Sequence, residues 1–262
     1  MREATKQHAT GKSFKRSLHF LLYWARGPSL VGLSRTTIML GACMRTHSFP
    51  RMFLPRSLIA AAIGSALMLS PLTASAFEGE LFSLKNRWEH TVTEMPANER
   101  ESTLKALAGE AEQLAEQYSD EADVLVWQGI VLASYARERG GLGALGIAGD
   151  ARDALEKAIE IDPQGLNGSA YVTLGALYDR APGRPLGFGN SDTAERMFQR
   201  ALEIRPDGID VNYYYAAFLK EEGNEQAARE HAQRAVNGTA RDNRQVSDEA
   251  LRRDAEALLK QL

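Results

Sequence analysis

Cysteine is almost missing from this 262-residue chain: the single one, Cys43, sits near the start, and none follows Phe77. From Phe77 onward that excludes disulfides, thiolate chemistry and cysteine-based metal sites. Histidine is nearly as scarce there. Only His90 and His231 remain, each alone among helix-forming residues, and neither stands beside a serine or carboxylate in a nucleophile motif. No His/Asp/Glu spacing suggests a metal, so neither catalysis nor a cofactor is expected. Period-two alternation of apolar residues is absent too, which leaves no strand to propose. Long apolar runs are lacking: the pieces around Leu21 and Ile38 are broken by Arg26 and Arg35, short of the roughly 18 residues a membrane span needs. Acidic residues are missing from one region only. Ten of the 31 basic but one of the 34 acidic side chains precede Phe77, leaving 21 against 33 and a formal charge of −12. A surface that acidic argues against nucleic acid and against charge-driven binding to anionic lipid.

What is present at the start is an address. Arg56 is followed by the apolar run Leu58–Leu69 and by Ala74-Ser75-Ala76, a small-x-small cleavage motif. This is the pattern of a secretory signal peptide over 52–76, cut before Phe77. Residues 1–51 are then expected to be an upstream, disordered extension, with Met44 or Met52 the true initiator. With no cysteine after the apolar run, a lipoprotein anchor is not expected, and the mature chain 77–262 reads as one periplasmic domain without a stable membrane span.

The mature part is built on a repeat. Ala194, Phe198, Ala201 and Pro206 lie at offsets 0, 4, 7 and 12; Ala151, Leu155, Ala158 and Pro163 repeat them, and Ala228, Ala232 and Ala235 repeat the first three. Offsets of 0, 4 and 7 share one helical face, and small residues there let a second helix approach closely. The proline stops each helix. Gly129, Gly175 and Ala216 are the small residues of the partner helices, and Gly175 is expected against Ala194. An earlier, degenerate unit carries Leu107, Ala111 and Leu114. Asn98 with Glu101 suggests a capped start upstream, and Ser247 a capped terminal helix with a polar face.

From Gly129 to Ala151 is 22 residues, from Gly175 to Ala194 is 19, and from Ala216 to Ala228 is 12. The first two units therefore carry insertions at the same turn. The first, Gly141-Leu142-Gly143-Ala144-Leu145-Gly146, matches G-x-G-x-x-G but lacks the preceding strand a dinucleotide site needs, so it reads as a glycine-rich loop. The second, Ala181 to Asn190, places Arg184, Leu186 and Phe188 among prolines and glycines. Phe188 should bury its ring, either against the first insertion at Leu142, Leu145 and Ile147 or against a ligand. The first helices of such a stack line its concave face, where Asp123, Val126, Ser169, Val172, Asp179, Asp210, Tyr213 and Lys220 project. Acids with an aromatic suit a peptide or a basic small molecule; a solvated face, or one filled by the C-terminal helix, are the alternatives. The candidate ligand- or partner-binding residues are therefore Val126, Val172, Asp179, Asp210 and Tyr213 on the helices, and Arg184, Leu186 and Phe188 in the loop.

The offsets and the small–large alternation resemble the tetratricopeptide repeat, a helix–turn–helix unit of about 34 residues. The fold expected is all-α: repeats stacked as a short α-solenoid with inserted Gly/Pro-rich loops. The second insertion, its following helix and Asp207-Gly208-Ile209-Asp210-Val211-Asn212-Tyr213-Tyr214-Tyr215 are similar, over roughly 100–240, to the TatT-type proteins associated with TRAP transporters. That resemblance implies a periplasmic helical repeat protein with a central pore or groove, which binds a hydrophobic ligand or passes it to a substrate-binding partner. The lipoprotein cysteine of that group is missing here. Two functions are expected from these readings: a non-enzymatic scaffold recognising a protein or peptide, a transporter component included, or a carrier of a small hydrophobic molecule. The cleavage motif makes the first prediction. N-terminal sequencing of periplasmic protein should begin at Phe77; a mature protein beginning upstream of Met52 would overturn both the signal peptide and the misplaced start.

Overall fold

The computed structural model describes residues 72–262, with side chains from Phe77 onward. The apolar run Leu58–Leu69 and the upstream extension lie outside the described residues. These residues form α1 (Leu72–Thr93), α2 (Ala97–Gln117), α3 (Ala122–Arg139), α4 (Ala144–Ile161), α5 (Ser169–Arg180), α6 (Ser191–Ile204), α7 (Ile209–Glu221), α8 (Glu225–Asn237), a 3-10 turn (Asp242–Arg244) and α9 (Gln245–Leu259). There is no strand among them, and no helix long and apolar enough to cross a membrane. The fold is all-α, with neighbouring helices packed as in a solenoid. Helix α1 crosses the Ala74-Ser75-Ala76 junction, and Phe77 already belongs to the fold, its ring 5.5 Å from that of Tyr118.

Helices α3/α4, α5/α6 and α7/α8 are antiparallel pairs, and α1/α2 is the degenerate pair, with Leu107, Ala111 and Leu114 buried. The repeat offsets carry the packing. Ala194, Phe198 and Ala201 are the only buried residues of α6, and Ala228, Ala232 and Ala235 the only ones of α8. The small residue of each first helix faces the residue at offset 4. A Cβ on Gly129 would lie 2.4 Å from Leu155 Cγ, and one on Gly175 would lie 2.7 Å from Phe198 Cε1. In the last pair Ala216 and Ala232 are both small and share one cluster with Leu258 of α9. The nearest neighbour of Gly175 is therefore the Phe198 ring, which the Ala194 pairing expected from the offsets did not include. Helical side chains lean toward their own N-terminus, so Phe198 covers the spot one turn before its Cα. Its ring also reaches Tyr215 at 5.6 Å and Phe218 at 5.7 Å, joining this pair to the next.

The two insertions take different forms. Only Gly140–Gly143 is turn; the rest of the first insertion lengthens α3 and α4 to 18 residues each, against 13 in α7 and α8. Gly140 and Gly141 both have φ of 62°, which reverses the chain at once. Ala144 and Ala148 are then free to continue the buried alanine face of α4, so the glycine-rich loop expected here is mostly helix. The second insertion stays a loop. Its neck is closed by Gly189 N donating to Pro182 O at 2.9 Å, and a Cβ on Gly189 would strike Ala181 O. Asn190 and Asn224, each after a glycine, cap α6 and α8 by accepting from Thr193 N and Ala227 N. The caps expected at Asn98 and Ser247 do not form: α2 begins behind Pro96, and α9 begins at Gln245.

Odd-numbered helices each touch the next, and α9 packs on α7, on α8 and also on α1. The terminal helix thus covers the last pair and returns to the first, closing the odd helices into a ring. The close approach at Gly175 is testable. Gly175→Ala should cost about 1–3 kcal/mol, since the Phe198 ring has no room to retreat. Replacing Phe198 by Leu in the same chain should recover part of that loss in thermal melts.

Candidate functional site

Short connections make each odd helix parallel to the next, so the first turns of α5, α7 and α9 come to one end of the ring. Ser169, Asp210 and Asp248 stand in those turns, where acidic side chains complement the positive helix ends. One guanidinium collects all three. Arg241 donates from Nη2 to Asp248 Oδ1 (2.6 Å), from Nε and its own backbone N–H to Asp248 Oδ2 (2.9 Å each), and from Nη1 to Ser169 Oγ (3.2 Å). Its Nη2 also lies 3.0 Å from Asp210 Oδ2. From the other side Arg205 Nη2 donates to both Asp210 oxygens, at 2.7 and 2.8 Å. Burial alone would push the Asp210 carboxyl up; Arg241 and Arg205 outweigh it and hold the group below the usual carboxylate range.

Beside this knot is an aromatic cage. Trp88 of α1 and Trp127 of α3 meet edge to face, centroids 5.4 Å apart, and Trp88 Nε1 donates to Ser134 Oγ at 2.9 Å. The Arg244 guanidinium lies 4.6 Å from the Trp88 centroid and 4.9 Å from that of Trp127, within cation–π range of both. Burial, with the like charge of Arg241 nearby, pushes the Arg244 pKa down to about 10. Arg244 therefore stays protonated at neutral pH. Lys85 Nζ stands 5.4 Å from the Trp127 centroid, its pKa lowered by burial, while burial raises that of Asp123 close by. Glu89 Oε1 accepts from Ser247 N at 2.9 Å, so the first turn of α9 is capped by α1 across the ring.

The segment 238–247 thus runs along the face the first helices line. Val126 and Val172 are buried in the core, Asp210 is buried in the arginine knot, and Ser169 accepts from Arg241. Asp179 and Tyr213 are half-buried, the Tyr213 ring 5.2 Å from Tyr214, and Lys220 donates to Gln261. In the second insertion Arg184 is exposed and Leu186 is 64 % exposed. Phe188 is half-buried, its ring edge-on to Tyr178 at 5.4 Å and under the Arg152 guanidinium at 4.7 Å. Tyr178 OH donates to Glu156 at 2.6 Å, and burial, with that carboxylate, raises its pKa to about 12. The ring therefore packs on α5 and α4. Leu142 of the first insertion is 77 % exposed, whereas Leu145 and Ile147 join the core's edge.

The two histidines have local partners: His90 Nδ1 with Glu94, and His231 Nδ1 with the buried Asn212 Oδ1 at 2.8 Å. Arg241, Arg244 and Glu89 were not legible as site residues. Their one sequence signal was a pair of arginines three apart in a stretch with no apolar period. Trp88 and Trp127 were legible only as bulk. Compared with known protein families and with curated proteins, the chain matches none.

Asp210→Asn tests the knot. Removing the shared carboxylate leaves Arg205 without a carboxylate and Arg241 with Asp248 alone, and about 3–5 kcal/mol should be lost at neutral pH. The Asp210 pKa is depressed on folding, so its contribution is present above the unfolded value, about 3.9, and lost as pH falls through the lower folded one. Denaturation curves of the two proteins should therefore differ most above about pH 5 and converge in stronger acid.

Proposed function

We propose that this chain is a non-enzymatic periplasmic binding or scaffold module of the tetratricopeptide-repeat type, recognising a protein or peptide partner on the inner face of its first helices. The observation that carries the reading is the segment 238–247. The inner face already takes up a stretch of polypeptide along its length, through Arg241 on Ser169 and Asp210 and through Arg244 on Trp88 and Trp127. A face that holds one peptide by separate side-chain contacts has the chemistry to hold another. The location rests on the sequence pattern Leu58–Leu69 with Ala74-Ser75-Ala76.

A second reading, a carrier of a small hydrophobic ligand working with a TRAP-type transporter, draws support from Leu142 and Leu186, which stand apolar and exposed on the two insertions. The two readings separate in material from the host periplasm. A photo-crosslinking residue at the exposed Val246 should capture polypeptide, and denaturation should release no lipophilic compound. One lipophilic molecule released per chain, with no polypeptide crosslinked, would overturn the first reading in favour of the second.

A further inference from the structure

The strap 238–245, Gly-Thr-Ala-Arg-Asp-Asn-Arg-Gln, carries no large apolar side chain. Asp242, Asn243 and Gln245 face solvent, and Val246 just beyond is 45 % exposed. What holds the strap is polar and cationic: Arg241 on Asp210, Asp248 and Ser169, and Arg244 on the faces of Trp88 and Trp127. The occupant also leaves something unmet. Trp127 Nε1 is buried and has no hydrogen-bond partner, a donor on one of the two cage indoles that an acceptor, such as a peptide carbonyl, would satisfy.

We infer that the Trp88–Trp127 cage with Asp210 is a site for an arginine-bearing peptide, two guanidinium groups three residues apart, and that the strap is its built-in competitor. This rests on the peptide-binding reading above and gives it a ligand chemistry and a means of regulation. Each strap contact is one that a second arginine can make. Two indole faces select a flat, weakly hydrated cation, and the Asp210 carboxylate selects a bidentate donor. Because the strap is tethered, it competes at an effective concentration in the millimolar range, so an external peptide sees only the fraction of chains whose strap is out. Weakening the strap should therefore raise the apparent affinity for the external peptide without adding any contact.

The probe is a synthetic peptide reproducing residues 241–245. Of the three tryptophans only Trp88 and Trp127 follow Phe77, so in the mature chain indole fluorescence reports on the cage directly. The mature chain carrying Arg244→Ala should bind the peptide saturably and about tenfold more tightly than the unsubstituted mature chain does. A peptide with alanine for its second arginine should not bind. Equal affinity for both proteins, or no saturable change in an Arg244→Ala chain that melts cooperatively, overturns the inference. A second measurement does not need the variant to fold. Excess peptide should raise amide exchange at Arg241–Ser247 of the unsubstituted chain about tenfold, including the Ser247 N–H that Glu89 holds; unchanged exchange overturns it. Failure of both, with polypeptide still crosslinked at Val246, removes the arginine site and leaves the peptide-binding reading standing. A lipophilic compound and no polypeptide removes both.

Discussion

The meeting of Arg241 with Ser169, Asp210 and Asp248 is the contact on which the closure of the ring depends. Three helices supply one first-turn oxygen group each, and the strap supplies the single cation that all three can reach. Buried ion pairs roughly break even against apolar packing once desolvation is counted, so their worth lies less in stability than in geometry. Here the geometry is closure. An apolar cluster at the same place would tolerate sliding of one helix past another, whereas a guanidinium shared among three oxygens tolerates very little. Glu89 reinforces the same end by capping α9 from α1, and Arg244 lies on tryptophans from α1 and α3. The return of the last helix to the first is therefore specified by charge and aromatic faces, not by the repeat.

The repeat supplies the walls. Within each of the three regular pairs the second helix offers two alanines and one residue of variable size, and the first helix answers with a matching gap. Leu155 lies over Gly129, Phe198 lies over Gly175, and Ala232 shares a cluster with Ala216. Size is traded across the interface, so interhelical distance stays short whichever side carries the bulk. That trade explains why the outer alanines recur in all three regular pairs while the residue between them varies; the degenerate pair instead carries Leu107 and Leu114 around Ala111. It also leaves the aromatic residues of the first helices free for other contacts: Trp127 meets Trp88, and Tyr215 meets Phe198 and the ring of His231.

The helical class and the pairing were legible because both are written in local spacing. Ala194, Phe198 and Ala201 announce a buried face from sequence alone, and the buried residues of α6 and α8 are those the offsets name. Direction within the pair is less legible, since spacing does not say which way a side chain leans, and so the Phe198 ring over Gly175 is not announced by the offsets. The first insertion misled because glycine suggests loop. The two glycines that turn the chain come first, and Gly146 and Gly149 then sit inside α4. For the inner face, Asp210 was picked out as exposed on its own helix, and its burial arises from Arg205 and from Arg241, the latter 31 positions on. No periodicity within α7 encodes where a later loop will run.

If the inner face is the peptide site proposed above, its being self-occupied changes what binding must cost. If the strap holds the inner face in most chains, a partner gains nothing from affinity shared by strap-in and strap-out forms; only preference for the open form shifts the balance. Tethering then acts as a filter. A lone cation competes with a contact that re-forms at millimolar effective concentration, whereas a peptide that engages the indole cage and the Asp210 carboxylate together competes on equal terms. Trp127 Nε1 is a buried donor that the strap as it lies leaves unmet, so on that reading an incoming backbone acceptor able to reach it would gain a contact the strap lacks. On the proposed peptide-binding reading, the same three features that close the ring, the shared guanidinium, the caged guanidinium and the cross-ring cap, would set the threshold a partner must exceed to open it.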